Sequence, residues 1–217
     1  MKRPLLIIAI ILLIDQVSKF WVKTNMYLGQ EYRLLGDWFI IHFTENNGMA
    51  FGMEFGGEYG KLFLSVFRII FVCTIIWYVY KLTRKEHDPL YITTLSLIIA
   101  GALGNLIDSA FYGMIFSGSE YQVASLFPPE GGYSSFLHGR VVDMLYFPLI
   151  EGTFPSWVPF WGGEDFIFFR PIFNIADSSI SIGVVMWVIF QNRFIKSTAK
   201  KEQQVIDSSE NVPTANS

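Results

Sequence analysis

Two acidic residues stand where an apolar chain has little reason to place them. Asp143 is embedded in "GRVVDMLYF", and Asp177 lies at the mouth of "FNIADSSISIGVVMWVIF". Two carboxylates held a few Å apart cannot both ionise easily, so one keeps a proton while the other serves as a base. Such a pair can activate water and protonate a leaving amine, which is peptide hydrolysis without a metal or a covalent intermediate. Its titration belongs to the pair rather than to either residue. No Ser-His or Cys-His alternative is visible, because no histidine falls in a predicted helix near the acids. His42, His87 and His138 are scattered without ligand-like spacing, so neither a metal nor another cofactor is expected. Cys73 is the single cysteine and reads as a packing residue.

The elements that position these acids belong to a membrane protein. Of 217 residues, 52% are hydrophobic and only 16% charged, too apolar for an ordinary soluble domain. A bilayer core needs about 20 mostly apolar residues per helix. Four segments qualify, near 4–22, 62–82, 89–111 and 175–194. The expected fold class is therefore an all-α membrane protein, one membrane-embedded domain over 1–196. Lys2, Arg3, Lys81, Arg84, Lys85, Arg193, Lys196, Lys200 and Lys201 gather in the parts that such a bundle puts on one side. The positive-inside rule makes that side cytoplasmic, with both termini inside. The connections 23–61 and 112–174 then face out. The first helix lacks a small-x-small cleavage site and continues past Asp15 into "VSKFWV", so it reads as a span and not a cleaved signal peptide. No internal repeat is seen. The polar stretch 197–217 is expected to be a disordered cytoplasmic tail.

The polar groups share a depth. Asp15 lies about 11 residues into the first helix, roughly 16 Å along it and past the midplane. Lys19 is one turn further out on the same face, an i,i+4 ion pair or a support for the site. Gly101, Gly104, Asn105 and Asp108 make one stripe on helix three, and Asn174, Asp177, Ser178 and Ser181 repeat that spacing on helix four. Small residues let helices approach closely while Asn, Asp and Ser bond across the contact. Arg68, early in helix two, reads as a snorkelling residue.

Of the outer connections, residues 31–55 hold an apolar run from Trp38 to Phe43 and a turn signal at Asn46-Asn47-Gly48, read as strand, turn and strand. Asn46 or Asn47 either reaches back to the helix mouths or only makes the turn. The stretch 112–172 is rich in Gly, Pro and aromatics and is expected to fold against the bilayer surface.

Five blocks, in order, resemble the lipoprotein signal peptidases (signal peptidase II), the bacterial membrane aspartyl endopeptidases: "DQVSKFWV", "ENNGMAFG", "GALGNLID", "GRVVDM" and "FNIADSSI". The resemblance implies four helices with both termini cytoplasmic and a small extracytoplasmic β-cradle after helix one. It implies removal of the signal peptide from prolipoproteins, cutting just before the diacylglyceryl-modified cysteine. The family aspartates map onto Asp143 and Asp177. Asn105, Asp108 and Asn174 are then dyad supports, Asp15 and Lys19 brace the first helix, and Asn47, Gly48 and Ala50 shape the cradle. The implied partners are diacylated prolipoprotein, membrane lipids and globomycin-type inhibitors, with no nucleic acid. The implied state is a multi-pass monomer of the bacterial cytoplasmic (inner) membrane, its site near the outer face. Two departures stand out. Ser109 follows "NLID" where the family usually has Arg, so a basic group is missing or is supplied by Arg140 or Arg68. The stretch of about 148–170 separates the two acids more widely than the family does, and is expected to form an extra surface element over the cleft.

Intramembrane acids also suit an ion-coupled transporter or proton channel. Such proteins distribute polar groups through the bilayer and often carry repeats, whereas here the inner half of every helix is apolar. A non-catalytic scaffold is the third reading.

Overall fold

The computed structural model describes residues 2–46, 57–84, 88–148, 150–168 and 171–210. Its first helix, α1, is Lys2–Asn25. A hairpin of β1 (Glu31–Leu35) and β2 (Phe39–Asn46) follows. Then come α2 (Gly57–Arg84) and α3 (Pro89–Ile107). After α3 the chain passes through a π-helical turn, Asp108–Tyr112, and a last turn, Gly113–Ile115. Strands β3 (Val141–Tyr146), β4 (Ile150–Thr153), β5 (Asp165–Phe168) and β6 (Ile172–Phe173) lead into α4, Ile175–Glu210.

Four helical stretches are long and apolar enough to cross a membrane: Lys2–Asn25, Leu62–Arg84, Pro89–Ile115 and Ile175–Ala199. The shortest has 23 residues, about 34 Å at 1.5 Å per residue, enough for a hydrocarbon core of about 30 Å. Large apolar side chains such as Leu13, Phe63 and Ile189 point outward from them, as a lipid-facing surface requires. Helix α3 is the centre of the bundle, packing on α1, α2 and α4.

Close approach explains the helix-three stripe. A Cβ on Gly101 would lie 2.1 Å from the carbonyl oxygen of Ala176 on α4, and one on Gly104 would lie 2.6 Å from Asp15 Oδ2 on α1. Gly101→Ala is therefore expected to lower stability by about 1–3 kcal/mol, the usual cost of overpacking. Thermal unfolding in detergent checks this against Gly118→Ala, whose nearest neighbour lies 3.8 Å away and which should change nothing.

The expected stripe on helix four needs correction. Ser181 is exposed, and the buried positions are Asn174, Ala176, Ser179 and Gly183. Ser179 donates to the carbonyl of Leu97 on α3 at 2.8 Å. The tail also differs from expectation, since α4 continues to Glu210. The stretch "KSTAKKEQQVIDSSE" has no Gly or Pro and is mostly good helix formers, so polarity alone did not end the helix. At the same end of the bundle Arg193 forks onto Asp88, at 2.6 and 3.1 Å. Asp88 in turn caps α3 by accepting from the Leu90 backbone N–H.

The sheet is larger than a post-helix-one hairpin. Its order is β1-β2-β3-β6, all antiparallel. The β1–β2 turn falls at Gly36, which has φ +54°, and of the turn expected at Asn46-Asn47-Gly48 all but Asn46 lies outside the described residues. The connection 112–172 supplies two strands of this sheet, β3 and β6. Val22 and Met26 of α1 pack with Phe43, Phe116, Val142 and Met144 into one apolar core that fixes the sheet to the helix ends. Strands β4 and β5 pair with each other in a separate two-stranded sheet. The turn between them exposes Trp157, Phe160 and Trp161.

Candidate functional site

The site is assembled where the sheet meets the helix mouths. Helix α4 opens with Asn174-Ile-Ala-Asp177. The Asp177 backbone N–H donates to Asn174 Oδ1 at 2.8 Å, and the Asn174 N–H points back to Asp177 Oδ2 at 3.4 Å. This is a reciprocal capping box built from Asn and Asp. With its oxygen committed to the cap, the Asn174 amide turns its NH2 outward, to 2.6 Å from Asp143 Oδ1. One buried asparagine thus contacts both acids.

Asp143 comes from β3, and its position is set by pairing. Leu145 is opposite Phe173 and Tyr146 opposite Ile172. Continuing that antiparallel register carries Asp143 to the mouth of α4. On the other side, β2 places Thr44 opposite Asp143 and Asn46 opposite Val141. Asn46 is then a diagonal neighbour on one face, and its amide donates to Asp143 Oδ2. The wide separation of the acids along the chain follows from the β4–β5 hairpin, inserted between two strands that still pair.

Beneath the acids lies a closed charge network. Lys19 is wholly buried, and its ammonium lies 2.9 Å from Asp15 Oδ2, Asp108 Oδ2 and Asn105 Oδ1. An ammonium has three donors, and all three are used. With its oxygen held by Lys19, Asn105 presents its NH2 to Asp177 Oδ1 at 2.7 Å. Asp15 also accepts from the Ala176 backbone N–H at 2.9 Å, at the positive end of the α4 dipole. Asp108 accepts from the Val142 backbone N–H at 3.2 Å and from Gln16 Nε2 at 3.0 Å. The acids of α1 and α3 therefore position the elements that carry Asp143 and Asp177. The π-helical turn begins at Asp108, and such turns often mark functional sites.

Asp143 is 2% exposed. Burial pushes its carboxyl up to about 7 and the neighbouring Asp177 charge adds to this, against the pull of Asn174, Lys19 and Asn46. A carboxyl so placed holds a proton near neutral pH.

Asp143, Asp177, Asn105, Asp108, Asn174, Asp15 and Lys19 are thus brought together. Arg140 is not among them. Its Nη1 lies 2.9 Å from Glu120 and 3.3 Å from Glu45, the carboxylate that also takes Lys23, so it ties β2 to the loop before β3. Asn47, Gly48 and Ala50 lie outside the described residues. One residue was missed as a site member, Gln16. Of the two readings open for Asn46, the structure has the first, since its amide reaches back to Asp143, and β2–β3 register puts it there. Arg68 Nη1 lies 3.4 Å from Ser109 Oγ. Among the described residues no cluster of His, Cys, Asp and Glu could hold a metal ion.

Comparison with known proteins decides the family. The family model described as Signal peptidase (SPase) II matches residues 7–193. The chain belongs to the signal peptidase II family. It is accordingly an aspartic peptidase. A protein named lipoprotein signal peptidase from Porphyromonas gingivalis is 57% identical over 190 residues, covering 87% of this chain and 82% of its own length. Another of that name, from Amoebophilus asiaticus, is 38% identical over 90% of this chain and 80% of its own. A bacterial membrane enzyme solved by the in meso method superposes with TM-score 0.55 at 26% identity, over 87% of this chain and 92% of its own. A second such structure, 23% identical with TM-score 0.56 over 100% of this chain and 96% of that one, shares the fold.

Proposed function

We propose that this signal peptidase II removes the signal peptide of diacylglyceryl-modified prolipoproteins, with Asp143 and Asp177 as its catalytic pair. The observation that carries this is the buried asparagine, Asn174, bonded to both acids at the mouth of α4. One carboxylate takes a proton from water as the oxygen adds to the scissile carbonyl. The other, protonated, hands its proton to the departing amine as the C–N bond breaks. Asn105 and Asn174 orient the pair, Lys19 orients Asn105, and Asp108 and Asp15 hold β3 and α4 in place. The positive residues beyond the far ends of the helices support cytoplasmic termini, an inner-membrane location and a site near the outer face. Asn47, Gly48 and Ala50 are proposed to contact the lipidated end of the substrate, in a monomeric enzyme inhibited by globomycin-type peptides. Clustering of the polar groups at one end of the bundle argues against an ion pathway.

Purified protein incubated with a diacylated prolipoprotein is expected to release the signal peptide, read as a globomycin-sensitive mass loss. No mass loss, with lipid-modified substrate verified, overturns the reading. The pH profile follows from Asp143. A pair with one proton is active, and Asp143 gives up its proton as pH rises through about 7. The plot of kcat/KM is expected to decline above that pH, approaching a tenfold fall per unit. A flat profile to pH 9 excludes Asp143 as the acid.

A further inference from the structure

Four carboxylates crowd the site, and Lys19 touches only Asp15 and Asp108 among them. Its third donor goes to Asn105, so it reaches Asp177 only through that amide. Arg140 is held by Glu45 and Glu120. Lys23 is held by Glu45 and Ser119. Arg68 is placed differently. It lies on α2 one turn beyond Ser65, whose hydroxyl donates to the Leu137 carbonyl at 3.0 Å. This face of α2 is therefore laid against the segment that leads into β3. Ser109 donates to the Asn105 carbonyl at 3.0 Å, which leaves its oxygen to accept from Arg68. Ser109 follows Asp108 in the chain, and Asn105 donates to Asp177 Oδ1 at 2.7 Å, so the guanidinium stands beside the groups that hold the pair, within reach of the charges of Asp177, Asp108 and Asp143. A guanidinium does not deprotonate in a protein, and a charge in a membrane-spanning helix is costly and tends to be functional.

We propose that Arg68 is the second cation of the catalytic site, a positioning residue whose fixed charge keeps the Asp143–Asp177 pair singly ionised. The inference rests on the reading of those acids as the catalytic pair. Among the described residues the charged groups around the pair are Asp15 and Lys19 on α1, Asp108 at the end of α3, and Arg68 on α2. With one proton on the pair, two cations face three anions. Without Arg68, one cation faces three, and the pair relieves the excess by taking a second proton. A doubly protonated pair has no base for water.

Arg68→Gln is therefore expected to move both limbs of the pH profile of kcat/KM upward by about one unit, the effect of losing an opposite charge at short range. Activity lost at pH 6 should return as pH rises. Arg68→Lys should keep both limbs within a few tenths of a unit of the wild type. The double variant Arg68→Ser with Ser109→Arg carries the guanidinium back from the α3 side, and its limbs should lie at the wild-type positions. If Arg68→Gln does not accumulate as folded protein, the double variant carries the test. Unmoved limbs in Arg68→Gln, or displaced limbs in a folded double variant, overturn the proposal. Asp143→Asn and Asp177→Asn are assayed in parallel. Activity in either overturns the pair itself, whereas inactive Asn variants with an unshifted Arg68→Gln profile overturn only the role of Arg68.

Discussion

Asp143→Asn and Asp177→Asn are each expected to lower cleavage of a diacylated prolipoprotein by at least about 10³-fold, within the range for loss of a general acid or base. Asparagine is isosteric with aspartate and can neither accept a proton from water nor supply one to the leaving amine. The packing around each site changes little. An amide at 143 has one oxygen where Asn174 and Asn46 each bond a separate one, so one of those two contacts is kept, and at 177 the single oxygen still takes the Asn105 NH2. Both variants should therefore insert and fold, so single-turnover cleavage is compared with thermal unfolding of the same preparation. Normal cleavage by either variant removes the residue from the mechanism. Asp143→Asn should also change how stability depends on pH. Native Asp143 keeps its proton to about pH 7, while an unfolded carboxyl loses it near about pH 4. Between those values the native state binds more protons, so the contribution of Asp143 to stability falls as pH rises, and it levels off above 7. Asp143→Asn should flatten that part of the curve, and its melting temperature should gain on the wild type between pH 4 and 7.

Lys19→Met is expected to be the most damaging single change to the fold, about 3–5 kcal/mol, as when one partner of a buried ion pair is removed. Methionine fills the space but leaves Asp15 and Asp108 facing each other without a counter-ion. Asp15 holds the first turn of α4 through Ala176, and Asp108 holds β3 through Val142. Loss of either contact loosens an element that carries a catalytic aspartate. Asn105 also loses the donor that fixes its orientation toward Asp177. The variant should show both a lowered unfolding temperature and a lowered kcat, and a melting temperature within 1–2 °C of the wild type would contradict the network. For a domain of this size about 3 kcal/mol corresponds to roughly 6–12 °C.

How much of this was legible beforehand depends on the range of the interaction. The spans were, because about 20 apolar residues in a row have few other fates. The glycine and asparagine stripe on helix three was, because helical periodicity needs only neighbours one turn away. Asp143 and Asp177 were, because a carboxylate at the edge of lipid needs a reason. The helix-four stripe was misread at Ser181, since adjacent serines satisfy more than one periodic pattern and only the contact with α3 selects Ser179. Polarity was mistaken for disorder after residue 196, where propensity continued the helix.

The sequence by itself determined the membrane class, the four candidate spans and, through five short blocks, the family. Tertiary structure alone decided which side chains touch. It showed that Asn46 faces Asp143, that Arg140 ties β2 to the loop before β3 and Arg68 lies at Ser109, and that a hairpin inserted between β3 and β6 leaves their register intact. The physical reason is that these contacts depend on strand pairing and helix crossing between residues far apart in the chain. Local propensity and hydropathy carry no record of register.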